Sequence, residues 1–178
     1  MLTVTPFAPT DANLRALWEH VKPMRDILTD EFPADPFAFV CWAFPSDAVS
    51  FEVRHERGHM IGWFLFTNIR PGDSAWSHIF VWDQSEVSPL ELVEAARTAC
   101  GAIFRAFNVA RINGLTPVSK PEARVFAKRV GFQIEGTVRS AAVIGGKRED
   151  AWISGLLPSD LEFTLVPKQR DTIEAEVP

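Results

Sequence analysis

Residues 121–139, PEARVFAKRVGFQIEGTVR, decide how the rest of this chain is read. Ser119-Lys120-Pro121-Glu122 has the form of a capping box with proline at the first helical position. Ala123, Phe126, Ala127 and Val130 follow at helical spacing and mark the face turned to a core. Gly131 stops the helix, and Phe132 is the apolar residue that favours a left-handed glycine cap. Phe132–Val143 and Lys147–Leu157 then read as strands. Gly145-Gly146 between them is a two-residue hairpin signal.

Working back from this stretch, Ala110–Leu115 is a short strand. Before it, Ser88-Pro89-Leu90-Glu91 forms another capping box. Val93, Ala96, Cys100, Ile103, Phe104 and Phe107 continue as one apolar stripe at spacings of three and four, the strongest helical signal in the chain. Residues 48–82 read as a three-stranded meander. Val49, Phe51 and Val53 alternate with Ser50, Glu52 and Arg54; Met60–Phe66 is apolar throughout, as a strand covered on both faces would be; Ala75–Trp82 is the third strand. Nearer the start, Leu2–Pro6 reads as a strand. Thr10 caps a helix carrying Leu14, Leu17, Trp18 and Val21, which Pro23 ends or bends. Asp30–Pro45, with three prolines and many aromatics, reads as loop plus a short helix.

The bulk properties narrow the function classes. The chain has 178 residues and a net charge of −5, with 47% hydrophobic and 23% charged residues. This is one ordinary globular domain, long enough to bury a core without staples. A pI near 5.4 argues against a nucleic-acid binder. Two cysteines, Cys41 and Cys100, suit a reduced, cytoplasmic protein. No apolar run reaches the ~18 residues of a membrane helix, and no basic-then-apolar leader is visible. Tyrosine is absent, which excludes a phenolic acid. His55 and His59 are four apart, but Gly58 makes the segment a turn, so no metal is expected.

The element order resembles that of the GNAT acyltransferases, which move an acetyl group from acetyl-CoA to an amine. Within that family, residues 121–160 are similar to the branch that acetylates ribosomal-protein N-termini. The resemblance rests on Arg129-Val130-Gly131-Phe132, Glu135-Gly136, Gly145-Gly146 and Asp150. It implies an α/β (α+β) fold: a mixed, mostly antiparallel sheet of six to seven strands, helices on both faces and splayed strands in the middle. Residues 1–165 would form one GNAT-like domain and residues 166–178 a loose polar tail. The implied activity is acyl transfer from acyl-CoA to a primary amine, whether a protein N-terminus, a polyamine or a small amine, by a monomer or homodimer. The alternative is a GNAT-shaped binding or structural module that has lost CoA affinity.

The resemblance also implies a site. Residues 75–82 would part from residues 110–115, with the pantetheine arm of acetyl-CoA along Phe80, Val81 and Trp82. Gln84, Ser85, Val87 and Ser88, leading into the helix, would hold the diphosphate through backbone amides. The family's turn is glycine-rich. Here Asp83–Ser88 has no glycine, and Asp83, Glu86 and Glu91 surround the anion position. The family's Asn and Ser on the later helix match Lys120 and Ala123, and a Tyr acid used by some branches falls at Ala127. Lys120, Arg124 and Lys128 share one helix face. They are either a docking stripe for CoA phosphates or a solvated face. For a base that frees the amine, His78 is the first candidate, because an ordinary pKa near 6.5 suits the task, and Glu52 is the second.

Overall fold

The computed structural model describes residues 1–27, 32–85 and 87–165; Glu86 and the expected tail 166–178 lie outside the described residues. Seven strands are present: β1 Leu2–Pro6, β2 Val49–His55, β3 Met60–Arg70, β4 Ser74–Val81, β5 Arg111–Pro117, β6 Gln133–Ile144 and β7 Lys147–Leu156. The helices are α1 Asp11–Val21, α2 Pro36–Ala43, α3 Pro89–Phe107, α4 Pro121–Val130 and α5 Pro158–Leu165. Pro23 falls in a 3-10 turn over Lys22–Ile27 directly after α1, so the helix ends where the proline predicts. The segment read as loop plus short helix contains α2, with Asp35 capping the amide of Ala38. Helix α5 was not expected. It follows Leu157, at a place where the sequence reading passed from strand to tail.

The strands form one sheet in the order β1-β2-β3-β4-β5-β7-β6. Every neighbouring pair is antiparallel except β4 and β5, which run parallel. Successive side chains of a strand point to opposite faces, so the continuously apolar β3 feeds two cores. Phe64 and Phe66 join Phe51, Val53 and Ala75 against Ala96, Cys100 and Ile103 of α3. Trp63 and Leu65 join Phe80 against Leu17 and Val21 of α1 and Phe39 and Ala43 of α2. This two-sided burial is why residues 60–66 lack alternation.

In the stretch at 121–139 Phe126, Ala127 and Val130 pack against the core as expected, but Ala123, at the first turn of α4, is exposed; the local devices form as the pattern dictates, with one exception. Gly131 has φ +126°. Its amide donates to the carbonyl of Lys128, and the Phe132 amide donates to the carbonyl of Ala127 at 3.0 Å, which is a Schellman cap. Gly145 and Gly146 both have positive φ, as a type I′ hairpin requires. The exception is the second capping box. Lys120 occupies the cap position with no side-chain bond to the helix. Ser119 turns away, and its hydroxyl donates to Glu149 at 2.7 Å. The first capping box, at Ser88 and Glu91, is complete.

Candidate active site

Strands β4 and β5 pair over three rungs only: Ser74 with Arg111, Ala75 with Ile112 and Trp76 with Asn113. Beyond these β4 stays with β3 as far as Val81, and β5 stays with β7 as far as Pro117. The sheet therefore forks. Five residues of β4 lie past the last rung, which is ~17 Å of strand.

The closed end of the fork is pinned by a chain of polar contacts. Glu135 accepts from Arg111 at 2.7 Å; Arg111 Nε donates to Asn113 Oδ1 at 2.8 Å; Asn113 Nδ2 donates to the Ala75 carbonyl at 3.1 Å. Ser77 donates to the Asn113 carbonyl at 3.1 Å from the β4 side. Asn113 is buried, so these bonds satisfy groups that would be costly to leave unpaired. The register shift of β6 between Ile134 and Gly136 leaves Glu135 free to reach Arg111. A Cβ at Gly155 would stand 2.5 Å from the Glu135 carboxylate and 2.6 Å from the Arg111 guanidinium, so a glycine there lets the pair meet. Asp150 accepts the amide of Ser140, a left-handed residue in the second bulge of β6. Glu135, Gly136 and Asp150, part of the motif that carried the resemblance, are thus structural.

His78 lies two residues past the last rung, opposite Leu65 of β3. Its Nε2 is 3.1 Å from Thr67 Oγ1, and the Trp42 ring meets it edge-on at 5.7 Å. Burial lowers its pKa below the ordinary 6.5, so the ring is neutral at pH 7. In the tautomer in which Thr67 accepts from Nε2–H, Nδ1 carries the lone pair that can take a proton; in the other, Nε2 accepts from the Thr67 hydroxyl. Glu52 is placed differently. Its carboxylate accepts from Arg54 at 2.9 Å and from Thr5 at 3.2 Å. In register it pairs with Trp63, which pairs in turn with Phe80. Two strand spacings, ~10 Å, separate Glu52 from β4. The fold does not bring the two candidate bases together.

The loop after β4 uses its own amides. Ser85 donates its amide at 3.1 Å and its hydroxyl at 2.7 Å to Asp83. The Val87 amide donates to the Gln84 carbonyl at 3.4 Å. The Ser88 amide donates to Glu91 at 3.0 Å, and the Glu91 amide to Ser88 Oγ at 3.2 Å. The Ser85 hydroxyl and amide hold the Asp83 pKa below its ordinary value, and the Ser88 amide does the same first for Glu91. Both acids are therefore anions where a diphosphate would have to sit. The residues of this loop do not fit that group as they stand. Of the residues expected to lie along the arm, Phe80 is buried in the core with α1 and α2, and Trp82 Nε1 donates to the Met60 carbonyl at 2.9 Å. Val81 and Trp82 also border a cleft of about 400 Å³ with Glu19, His20, Pro23 and Met24. The His20 ring stacks on Trp82 at 4.8 Å, nearly parallel at 6°. Burial, then the Arg54 charge, lowers the His20 pKa.

Across the mouth, helix α4 carries Lys120, Arg124 and Lys128 on one face. The Arg124 guanidinium lies over the Trp152 ring at 4.4 Å. Trp152 pairs with Thr116 on the free arm of β5. Among the described residues no carboxylate pairs with these three cations. Burial pushes the Cys100 thiol up to about 12, so it stays protonated and unreactive. The His55 and His59 rings stack at 5.2 Å, and no group of three metal-ligating side chains occurs among the described residues. No described helix is long and apolar enough to cross a membrane.

Comparison with solved structures adds the following. A spermidine N-acetyltransferase from Vibrio cholerae, in complex with CoA and spermine, superposes with TM-score 0.76 at 18% identity, over 90% of this chain and 98% of that one. Mutant forms of the spermidine/spermine N-acetyltransferase SpeG from Vibrio cholerae superpose with TM-score 0.73 at 17% identity, over 93% and 100%. The fold is GNAT-like. No family model matches the sequence, and no curated protein matches it. The solved structures do not support the ribosomal-protein branch suggested by residues 121–160, as they are spermidine acetyltransferases. Those residues encode a cap, two bulges and a hairpin, which a fold needs whatever its acceptor.

Sequence reasoning missed Glu19, His20 and Met24. They read as the polar side and end of the first helix, and only the stacking of His20 on Trp82 shows that this end faces β4. The many aromatics of Asp30–Pro45 include Phe37, Phe39, Trp42 and Phe44. The structure divides them: Phe39 is fully buried, Phe37 is 78% exposed, and Trp42 alone reaches His78.

Proposed function

We propose that this chain transfers an acyl group from a thioester on a pantetheine arm, acyl-CoA being the simplest such donor, to a primary amine. One observation carries the reading: a neutral, shielded histidine sits just past the point where β4 and β5 part. The free edge of β4 suits a thin extended chain with amides of its own, because an unpaired strand edge recruits such a chain by main-chain hydrogen bonding. The acceptor amine arrives from the face covered by α1 and α2, where His78, Trp42 and the Glu19–Trp82 cleft lie. A polyamine acceptor is favoured by the likeness to the spermidine enzymes and by Glu19 and Trp82, an acid and an aromatic ring that line one cleft.

The chemistry asks little of the protein beyond position. The amine nitrogen attacks the thioester carbonyl and forms a C–N bond; the C–S bond then breaks. His78 takes the proton that nitrogen loses and returns it to the departing thiolate, so the products are an amide and a thiol. An ordinary alkyl ammonium has a pKa of about 10.4, so a neutral base at the site is needed to free it.

A second reading has an observation of its own. The amides of Ser85, Val87 and Ser88 are already engaged by the loop, which favours a GNAT-shaped module without CoA affinity. The test is thiol release and product mass with acetyl-CoA and with S-acetylpantetheine, a donor lacking the diphosphate, each offered spermidine and simple primary amines. Transfer from either donor, lost in His78→Ala, supports the enzyme. Absence of transfer from both, and from an acetylated phosphopantetheine arm on an acyl carrier protein, refutes it and leaves the inert module.

A further inference from the structure

The two lips of the fork carry opposite charge. On the β4 lip Asp83 is an anion and the amides that could hold a bound anion are taken; Glu91 pairs with the N-terminal ammonium at 3.2 Å and Glu94 with Arg97 at 2.8 Å, both toward β1. On the β5 lip Lys120, Arg124 and Lys128 project in a row, in a chain whose net charge is −5. Glu149 lies near the start of this row, where its carboxylate accepts from the Ser119 hydroxyl and offsets part of the positive charge beside Lys120. The diphosphate of free CoA would meet the Asp83 carboxylate, a like charge, and loop amides that are already engaged.

We propose that the acyl donor is a thioester on the phosphopantetheine arm of an acidic carrier protein, with the carrier seated on the α4 row. The proposal rests on the transfer reading above and names its donor. A carrier-bound arm has the thioester, the two amides and the thin shape that the ~17 Å of free β4 accepts. It ends in a single phosphodiester and has no diphosphate or adenosine to lodge in the loop. Affinity that CoA would draw from loop amides is drawn instead from protein–protein charge complementarity, which also speeds encounter and is weakened by salt. The Arg124 guanidinium already rests over the Trp152 ring, so less side-chain freedom is lost when it meets a carboxylate.

The experiment compares three probes by isothermal titration at 50 and 300 mM salt: an acidic acyl carrier protein loaded with S-acetyl-phosphopantetheine, the same carrier without the arm, and acetyl-CoA. The loaded carrier is expected to bind at least tenfold more tightly than the other two. It should lose most of that margin at high salt and in Lys120→Glu/Lys128→Glu, whose fold is checked by circular dichroism and melting temperature. Acetyl-CoA binding as tightly as the loaded carrier overturns the proposal while leaving acyl transfer standing. So does an armless carrier that matches the loaded one, or full binding by the double variant. Binding by neither donor overturns the proposal and the transfer reading together.

Discussion

At the closed end of the fork, Arg111, Asn113 and Glu135 reach across three strands to tie β4 to β5; at the mouth, Asp83 with Ser85 and Glu91 with Ser88 each bond within a few residues of themselves. Both ends satisfy their polar groups. Apart from the Arg111–Asn113 link within β5, the closed end does so with partners 24 to 38 residues apart in sequence, so its bonds fix the position of one strand against another. The mouth takes up its amides locally, so those hydrogen bonds shape a loop and use the donors an anion would need, while its carboxylates also meet distant partners, Glu91 the N-terminal ammonium at 3.2 Å and Asp83 the His59 ring at 3.8 Å. The first kind of satisfaction builds a scaffold; the second decides what the scaffold rejects.

If the closed end exists to place His78, then removing the imidazole should have the largest effect of any substitution considered. His78→Ala is expected to lower turnover about 10²-fold or more with melting little changed, read by thiol release at saturating acetylated donor. Unchanged turnover would remove His78 from the mechanism and leave the fork without a base. Next in size is Asn113→Ala. It strands the Ala75 carbonyl and the Arg111 guanidinium near the last rung, at a cost of about 2 kcal/mol. A chain of this size should then melt about 4–8 °C lower. A shift under 1 °C would mean that the three rungs hold the closed end without the side-chain relay.

The same comparison explains what the sequence could tell. The Schellman cap at Gly131, the Gly145-Gly146 hairpin and the Ser88 capping box are local devices with fixed residue types, and each was read correctly from spacing. The fork itself came from the family resemblance; its pinning could not be read, since Arg111, Asn113, Glu135 and Gly155 gain meaning only when three distant strands align. The Ser119 box failed for a related reason. Its pattern is correct, but Glu149, thirty residues away, competes for the hydroxyl and wins at 2.7 Å. His20 stayed hidden because its partner, Trp82, lies on another element. The acidic loop was legible as a departure from the family; that its acids would occupy its own amides was not.

A smaller effect is expected at the mouth. Ser88→Ala removes the hydroxyl that accepts the Glu91 amide at the start of a nineteen-residue helix, and N-cap losses of this kind cost about 1 kcal/mol. Thermal denaturation should show a drop of about 2–4 °C, less than for Asn113→Ala. The reverse ranking would place the stiffer end of the fork at the mouth.

The smallest effect is in the pH dependence, and its sign separates a shielded His78 from an exposed one. In the unfolded chain His78 gains a proton as pH falls through about 6.5. In the folded chain burial against Trp42 and β3 lowers the pKa, so the ring stays neutral further into acid. Between the two values the unfolded state binds more protons, and stability rises with pH. His78 therefore costs nothing above about pH 6.5 and destabilises progressively below it. His20 acts in the same direction, through burial and then Arg54. Denaturant melts between pH 5 and 7.5 should show stability falling on the acid side, with His78→Gln flattening part of the slope and the His20 share remaining. The acid limb of kcat/KM should shift the same way, to a pH below that of a free imidazole. A slope unchanged in His78→Gln, or an acid limb at the free value, would mean that the ring is open to water. The fork would then lack the shielded base on which the transfer reading rests.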